Sequence, residues 1–314
     1  MKNLRIVYMG TPEFAVAPLK ALLDKEYNVI AVITAPDKPA GRGKKIQQSE
    51  VKKYALEKGL SVLQPSRLKD KDFLKELAKL NADLQIVVAF RMLPELVWNM
   101  PPLGTFNLHA SLLPQYRGAA PIHRAIMNGE TKTGITTFFL QHEIDTGNIL
   151  LQEEVAITEN MTTGELYDIL MNKGANLVLK TVKEIEENNI EGIPQEKISN
   201  LKTAAKIFKE DCKIDWTKQL KDIHNHIRGL NPFPVAWTKL KEKNLKIFMG
   251  EKEYVNHSYP LATIITDKKT FFKIAVLDGY YHIKELQLEG KKRMVIEDFL
   301  RGYHLDIEEI GFSE

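Results

Sequence analysis

Residues 105–126 read TFNLHASLLPQYRGAAPIHRAI. Residues 106–110 have the composition of a short strand. Strand alternation puts Asn107 and His109 on one face and Phe106 and Leu108 on the other. Pro114 biases Leu113 away from helix, so the strand stops there. Residues 117–121 form a loop of small residues in which backbone can come close to a ligand. Pro121 then suits the first turn of a helix over 122–127. Such a strand-loop-helix junction belongs to an open α/β sheet, whose ligands bind at the carboxyl ends of the strands.

The flanking segments support that fold. Residues 4–9 (LRIVYM), a helix over 13–25 and residues 29–34 (VIAVIT) make a β-α-β opening. A Gly-x-Gly-x-x-Gly fingerprint is absent, with Gly10 alone in the turn, so dinucleotide binding is not expected. Residues 84–89 (LQIVVA) are apolar enough for a central parallel strand. Residues 133–140 (TGITTFFL) and 149–157 are further strands, and 165–187 is a long helix with one apolar stripe. Residues 35–49 read as a long loop. From about residue 210 the character changes. A helix over 217–229 is followed by short strands at 236–240, 245–249, 262–265, 271–276 and 280–288, spaced as in a small barrel, and by a closing helix over 296–300. The expected architecture is a Rossmann-like, mostly parallel α/β sheet with helices on both faces, followed by a small OB-like β-barrel. The expected boundaries are 1–188, a polar linker over 189–209, and 210–314.

Composition narrows the class. The 314 residues are 44% hydrophobic and 27% charged, typical of a soluble globular chain. A single cysteine, Cys212, excludes an internal disulfide. The N-terminal apolar run is too short for a signal peptide, and no segment approaches the length of a membrane span. A cytoplasmic monomer away from membranes is expected. Net charge is +3 but uneven: residues 201–250 hold 11 Lys/Arg against 5 Asp/Glu, and residues 151–200 hold 4 against 10. That asymmetry permits a polyanion-binding face, though a solvated lysine-rich surface gives the same count.

An amide and an imidazole side by side on an apolar strand are either internally paired core groups or a site. Asp145, in the turn Asp145-Thr146-Gly147, is either a turn former bonded to its own backbone or a partner for His109. Brought beside the imidazole, a carboxylate would support its charged form and fix its orientation. The three groups together suit acyl or formyl transfer to an amine. The amide N–H stabilises an oxyanion, and the imidazole moves protons. The histidines His123, His142, His224 and His226 lack partners at metal-ligand spacing, so no metal is expected.

Asn107-x-His109, the run SLLPQYRGAAP over 111–121, and Asp145-Thr146-Gly147 resemble the formyltetrahydrofolate-dependent formyltransferase family. The resemblance extends from MGTP (9–12) to GKKRM (290–294) and DFLRG (298–302). It implies 10-formyltetrahydrofolate as formyl donor. Asn107, His109 and Asp145 fall on the catalytic positions, and Ser111, Leu112, Leu113 and Pro114 on the folate-binding loop. KPAGRGKK (38–45) resembles an insertion loop of the members whose acceptor is initiator methionyl-tRNA. That likeness implies Lys38, Arg42, Lys44 and Lys45 as tRNA contacts, against the alternative of a solvated loop. Lys206 falls in the connecting segment, as a tRNA contact or a surface lysine. IRGLNPFPVAW (227–237) and ELQLEGKKRM (285–294) resemble those members' C-terminal, OB-like tRNA-binding domain. Two positions depart from the pattern. Arg91 stands where the family has Gly, either at the folate or toward solvent, and Val235 stands where it has a small residue. The rival readings are transfer to a sugar nucleotide or other small amine, hydrolysis of the folate, and an RNA-binding protein without catalysis.

Overall fold

The structure, a computed structural model, describes residues 4–40 and 45–303. Arg42 and Lys44 lie outside the described residues. The chain opens with β1 (Ile6–Gly10), α1 (Val16–Asp24), β2 (Val29–Ile33), β3 (Lys38–Ala40), β4 (Lys45–Gln47), α2 (Glu50–Glu57) and β5 (Val62–Leu63). It continues through α3 (Lys71–Lys79), β6 (Leu84–Val88), α4 (Glu95–Trp98), β7 (Thr105–His109), β8 (Arg117–Gly118) and α5 (Pro121–Met127). β9 (Lys132–Phe139), β10 (Ile149–Ala156), α6 (Thr163–Glu186) and β11 (Thr203–Ala204) follow. The last part holds α7 (Leu220–Gly229), β12 (Ala236–Leu240), β13 (Lys243–Tyr254), β14 (Ile264–Thr266), β15 (Phe272–Val276), β16 (Gly279–Leu288), β17 (Met294–Val295) and α8 (Ile296–Gly302).

Two compact units result. The first takes residues up to 118, 133–155 and 167–203; the second takes 119–132, 156–166 and the chain from 204. The chain thus makes its last change of unit inside the stretch read as a linker.

In the first unit seven strands lie in the order β10-β9-β7-β6-β1-β2-β5. β1 runs parallel to β2 and β6, and β6 parallel to β7, whereas β7 meets β9 antiparallel. Every residue of β1 and β6 is buried, which is why both read as mostly apolar runs rather than alternating ones, with Gln85 the polar exception in β6. On one face, Val7, Met9, Ile33 and Val87 pack with Phe73, Leu77 and Val97. Asp70 caps α3 by accepting the N–H groups of Asp72 and Phe73 at 3.0 and 3.1 Å, worth about 1 kcal/mol. α6 comes so close behind β7 that a Cβ at Gly174 would lie 2.7 Å from Leu108 Cδ2.

One expectation is corrected here, and Arg91 gains partners. Residues 35–49 are not an unstructured loop: β3 pairs antiparallel with β4, Lys38 opposite Gln47 and Pro39 opposite Ile46. Pro39 hid the strand, since proline is tolerated only at edges and this pair has nothing but edges. The base is pinned by Asp37, which binds Lys52 Nζ at 2.6 Å and Gln64 Nε2 at 2.8 Å. Those bonds, Lys52 first, hold the Asp37 carboxyl below its usual range. Lys38 is exposed. Arg91 is half-buried. Its Nη1 donates to Ser66 O at 3.0 Å, its Nη2 to Pro65 O, and its guanidinium stands 5.4 Å from the Phe90 ring. It therefore ties the end of β6 to the loop before α3.

The second unit is a six-stranded antiparallel sheet, β12-β13-β16-β15-β14 with β17 on β16. Ile247, Phe272, Ile274, Tyr281 and Leu286 close a core with Ile223 and Ile227 of α7 and Phe299 of α8. Thr162 and Glu165 form a reciprocal cap at the start of α6. Glu165 Oε2 accepts the Thr162 N–H at 2.7 Å, and Thr162 Oγ1 accepts the Glu165 N–H at 3.3 Å.

His224 of α7 is buried, with Nε2 3.0 Å from Asn160 Oδ1 and Nδ1 3.4 Å from the Tyr281 hydroxyl. Burial, then the charges of Lys252 and Arg228, push its pKa down to about 4 from 6.5. Between those values the unfolded chain binds a proton that the folded chain excludes, so stability falls as pH drops through that window. The loss is at most about 3 kcal/mol. Thermal melts of His224→Gln are expected to decline less between pH 6.5 and 4 than those of the parent. Parallel declines would show that other groups control acid sensitivity.

Candidate active site

Asn107 and His109 share one face of β7, at the strand where the sheet changes from parallel to antiparallel neighbours. Val87 and Phe138 flank Asn107 in register, and Thr136 lies opposite His109. The Asn107 side-chain oxygen is buried without a hydrogen-bond partner among the described residues. Leaving such an acceptor unpaired costs roughly 1–3 kcal/mol.

His109 is 6% exposed. Its Nε2 lies 2.8 Å from the Tyr116 carbonyl oxygen, which can only accept, so Nε2 carries the hydrogen of the neutral ring. Nδ1 then keeps its lone pair on the side of Asp145, whose Oδ2 is 3.8 Å away. That gap is too long for a direct hydrogen bond. A proton arriving at Nδ1 would face the carboxylate, with the opposite N–H already held by Tyr116.

Asp145 is fixed from several sides. Its Oδ2 accepts the Gly118 N–H at 2.8 Å. Its backbone sits at φ 55, a left-handed conformation that aspartate tolerates better than most residues. Gly147 passes so close to β9 that a Cβ there would lie 1.6 Å from Phe139 O. No other residue fits without moving the turn.

Gln195 lies in the stretch read as linker and has no role in the sequence analysis. Its Nε2 donates to Asp145 O at 2.9 Å and to Gly147 O at 2.8 Å, while its Oε1 accepts from Arg117 Nε and Nη2 at 3.1 and 2.6 Å. Ile193, two residues earlier, is held by paired 2.8 Å backbone bonds to Ile149. Gln195→Ala is expected to lower kcat about 10- to 100-fold with little change in the KM for the formyl donor, because the carboxylate drifts from Nδ1. Gln195→Glu keeps the acceptor for Arg117 but loses both donated bonds, so it should fall as far. A matching rise in KM would place Gln195 in donor binding instead.

The loop over 111–114 is braced from inside the same unit. Ser111 Oγ donates to Gln115 O at 2.7 Å. Thr136 Oγ1 donates to Ser111 O at 2.6 Å and accepts the Leu113 N–H at 3.2 Å. Gln152 Nε2 donates to Leu113 O at 2.8 Å. Ser111 and Leu113 are buried, whereas Leu112 and Pro114 are half-buried; the Leu113-Pro114 peptide is cis. Thr136 and Gln152 also went unnoticed in the sequence, where they are ordinary strand residues. The structure brings Asn107, His109, Asp145 and the 111–114 loop into one unit. Lys206 belongs to the second unit, exposed, with its Nζ 5.5 Å from the Phe208 ring. Among the described residues no group of three His, Cys, Asp or Glu could hold a metal ion.

One unit thus holds an imidazole, an amide whose oxygen has no partner among the described residues, and a carboxylate 3.8 Å from the imidazole, a set that suits group transfer. The chain belongs to the formyl transferase family: the formyl transferase model matches residues 3–182, and the model of the family's C-terminal domain matches residues 206–304. It is 54% identical over 312 residues to a methionyl-tRNA formyltransferase of Bacteroides thetaiotaomicron, covering 97% of each chain. It is 55% identical over 306 residues to one from Flavobacterium johnsoniae, covering 96% of this chain and 97% of that one. Among solved structures, an N-formyltransferase of Helicobacter canadensis, in complex with folinic acid and dTDP-3-aminofucose, shares the fold. Its TM-score is 0.69 at 23% identity, covering 93% of this chain and all of the other.

Proposed function

We propose that the protein transfers the formyl group of 10-formyltetrahydrofolate to the α-amino group of methionine on initiator methionyl-tRNA. The observation that carries the chemistry is the pairing of an unpartnered Asn107 oxygen with a His109 Nδ1 whose lone pair faces Asp145. The acceptor rests on the relatives named methionyl-tRNA formyltransferase, at 54–55% identity over nearly the whole chain.

The donor supplies an activated formyl carbon, so no serine or cysteine nucleophile is required. Asn107 orients the incoming amine through its carbonyl oxygen and steadies the developing oxyanion through its NH2. As the new C–N bond forms, His109 Nδ1 takes the amine proton and Asp145 offsets the charge of the imidazolium. The same proton then goes to the folate nitrogen as its bond to the formyl carbon breaks. Ser111, Leu112, Leu113 and Pro114 would shape the folate site. Lys38, Arg42, Lys44, Lys45 and Lys206 would meet tRNA phosphates. In this reading residues 1–188 are the catalytic domain, 189–209 connect, and 210–314 help hold the tRNA. No helix among the described residues is long and apolar enough to cross a membrane. A cytoplasmic monomer is part of the same proposal.

The test mixes purified protein with 10-formyltetrahydrofolate and charged initiator methionyl-tRNA and follows formyl-methionine by mass. Formylation is expected. Folate turnover without formyl-methionine would redirect the reading to a small amine or to water as acceptor.

A further inference from the structure

Residues 200–202, in the stretch read as linker, are bonded to the turn beside His109. Lys202 donates its backbone N–H to Gln115 Oε1 at 2.8 Å, and Gln115 Nε2 donates to Asn200 O at 3.3 Å. The next residue, Tyr116, donates its own N–H to Lys202 O at 2.6 Å. Gln115 thus grips 200–202 with both ends of its amide, and the backbone of Tyr116 closes the same contact. From the other side Ser111 Oγ donates to Gln115 O at 2.7 Å. The turn needs such support. Tyr116 is buried and sits at φ 59, a left-handed conformation that a residue with a large side chain rarely adopts. A conformation of that kind persists only where its surroundings fix it. With its N–H held on 200–202, Tyr116 aims its carbonyl oxygen at His109 Nε2, 2.8 Å away.

That carbonyl has a competitor. A neutral imidazole carries one hydrogen, and the His109 ring has an acceptor on each side. Tyr116 O lies against Nε2, and Asp145 Oδ2 lies 3.8 Å from Nδ1. A carboxylate is the stronger acceptor of the two once the ring can reach it. The hydrogen stays on Nε2 because the carbonyl is held at bonding distance and the carboxylate is not. If the carbonyl withdrew, the hydrogen would settle on Nδ1, toward Asp145. Nδ1 would then be a donor, with no lone pair for an incoming proton. We propose that Gln115 is a positioning residue: by gripping 200–202 it fixes the Tyr116 carbonyl, which keeps the His109 hydrogen on Nε2 and leaves Nδ1 as the base. The inference rests on Nδ1 being the proton acceptor, and adds what holds it in that form. Gln115 acts through Tyr116 and His109, not on the reacting atoms.

The test records NMR spectra of the histidine ring nitrogens in the full-length protein, at the basic end of a pH titration. His109 is assigned by the signals lost in His109→Gln. The parent is expected to carry the hydrogen on Nε2. Gln115→Ala removes both side-chain bonds from a half-buried residue, so the fold should persist. This variant is expected to move the His109 hydrogen wholly or partly to Nδ1. Its kcat for formyl transfer should fall about 10- to 100-fold, with the KM for the formyl donor unchanged. Gln115→Glu keeps the acceptor for the Lys202 N–H, the shorter of the two side-chain bonds, and should retain the Nε2 hydrogen and most of the rate. If Gln115→Ala keeps the hydrogen on Nε2 as the parent does, the proposal is overturned. A shifted hydrogen with undiminished turnover overturns it as well, since Nδ1 is then not the base. If the parent formylates no methionyl-tRNA, the reaction assigned above has failed, and the ring spectra alone uphold or overturn the hold of Gln115 on His109.

Discussion

His109→Ala lowers kcat for formyl transfer by about a hundred- to ten-thousandfold while leaving the affinity for the formyl donor nearly unchanged. The expectation follows from where the two ring nitrogens point. Nε2 is committed to the Tyr116 carbonyl at 2.8 Å and cannot take a proton from substrate. Nδ1 is the free base, 3.8 Å from the Asp145 carboxylate. Removing the ring takes away the proton acceptor and strands the carboxylate, but leaves the 111–114 loop braced by Thr136 and Gln152. Single-turnover formylation followed by mass, beside a donor titration, separates the two effects. Near-normal turnover in the variant would remove His109 from the chemistry.

Asn107→Leu is expected to do two opposite things. Formyl transfer should fall about a hundred- to a thousandfold, the usual effect of losing one oxyanion donor. Stability should rise by about 1 kcal/mol, because a buried acceptor without a partner gives way to an apolar group of similar size. For a unit of this size that is about 2–4 °C in Tm. Groups that serve only the fold behave differently: their loss lowers both quantities together. Thermal melts and initial rates on the same preparation decide the matter. A fall in Tm would mean that Asn107 has a partner in solution and that its role is structural.

Much of the fold was legible because its signals are local. The short, mostly apolar runs at 6–10 and 84–88 have the composition of strands covered on both faces. Pro114 and Pro121 punctuated the strand-loop-helix junction with backbone restrictions that do not depend on distant contacts. The β3–β4 pair was missed because two three-residue strands, one with Pro39 and each with a lysine, have no period to read. Arg91 could not be placed, since its partners are the carbonyls of Pro65 and Ser66, some 25 residues upstream.

The sequence by itself determined the kind of chemistry: an amide and an imidazole two residues apart on a strand, with an Asp-Thr-Gly turn downstream. It also determined which strand carries them, because alternation is a property of the backbone. Only the tertiary structure decided which nitrogen of His109 is free, since the Tyr116 carbonyl that makes the choice arrives through a turn at φ 59. Only the tertiary structure decided that Gln195, 50 residues beyond Asp145, holds the carboxylate turn. Hydrogen bonds between segments far apart in the chain leave no trace in composition or period. They exist only once the sheet has fixed both ends.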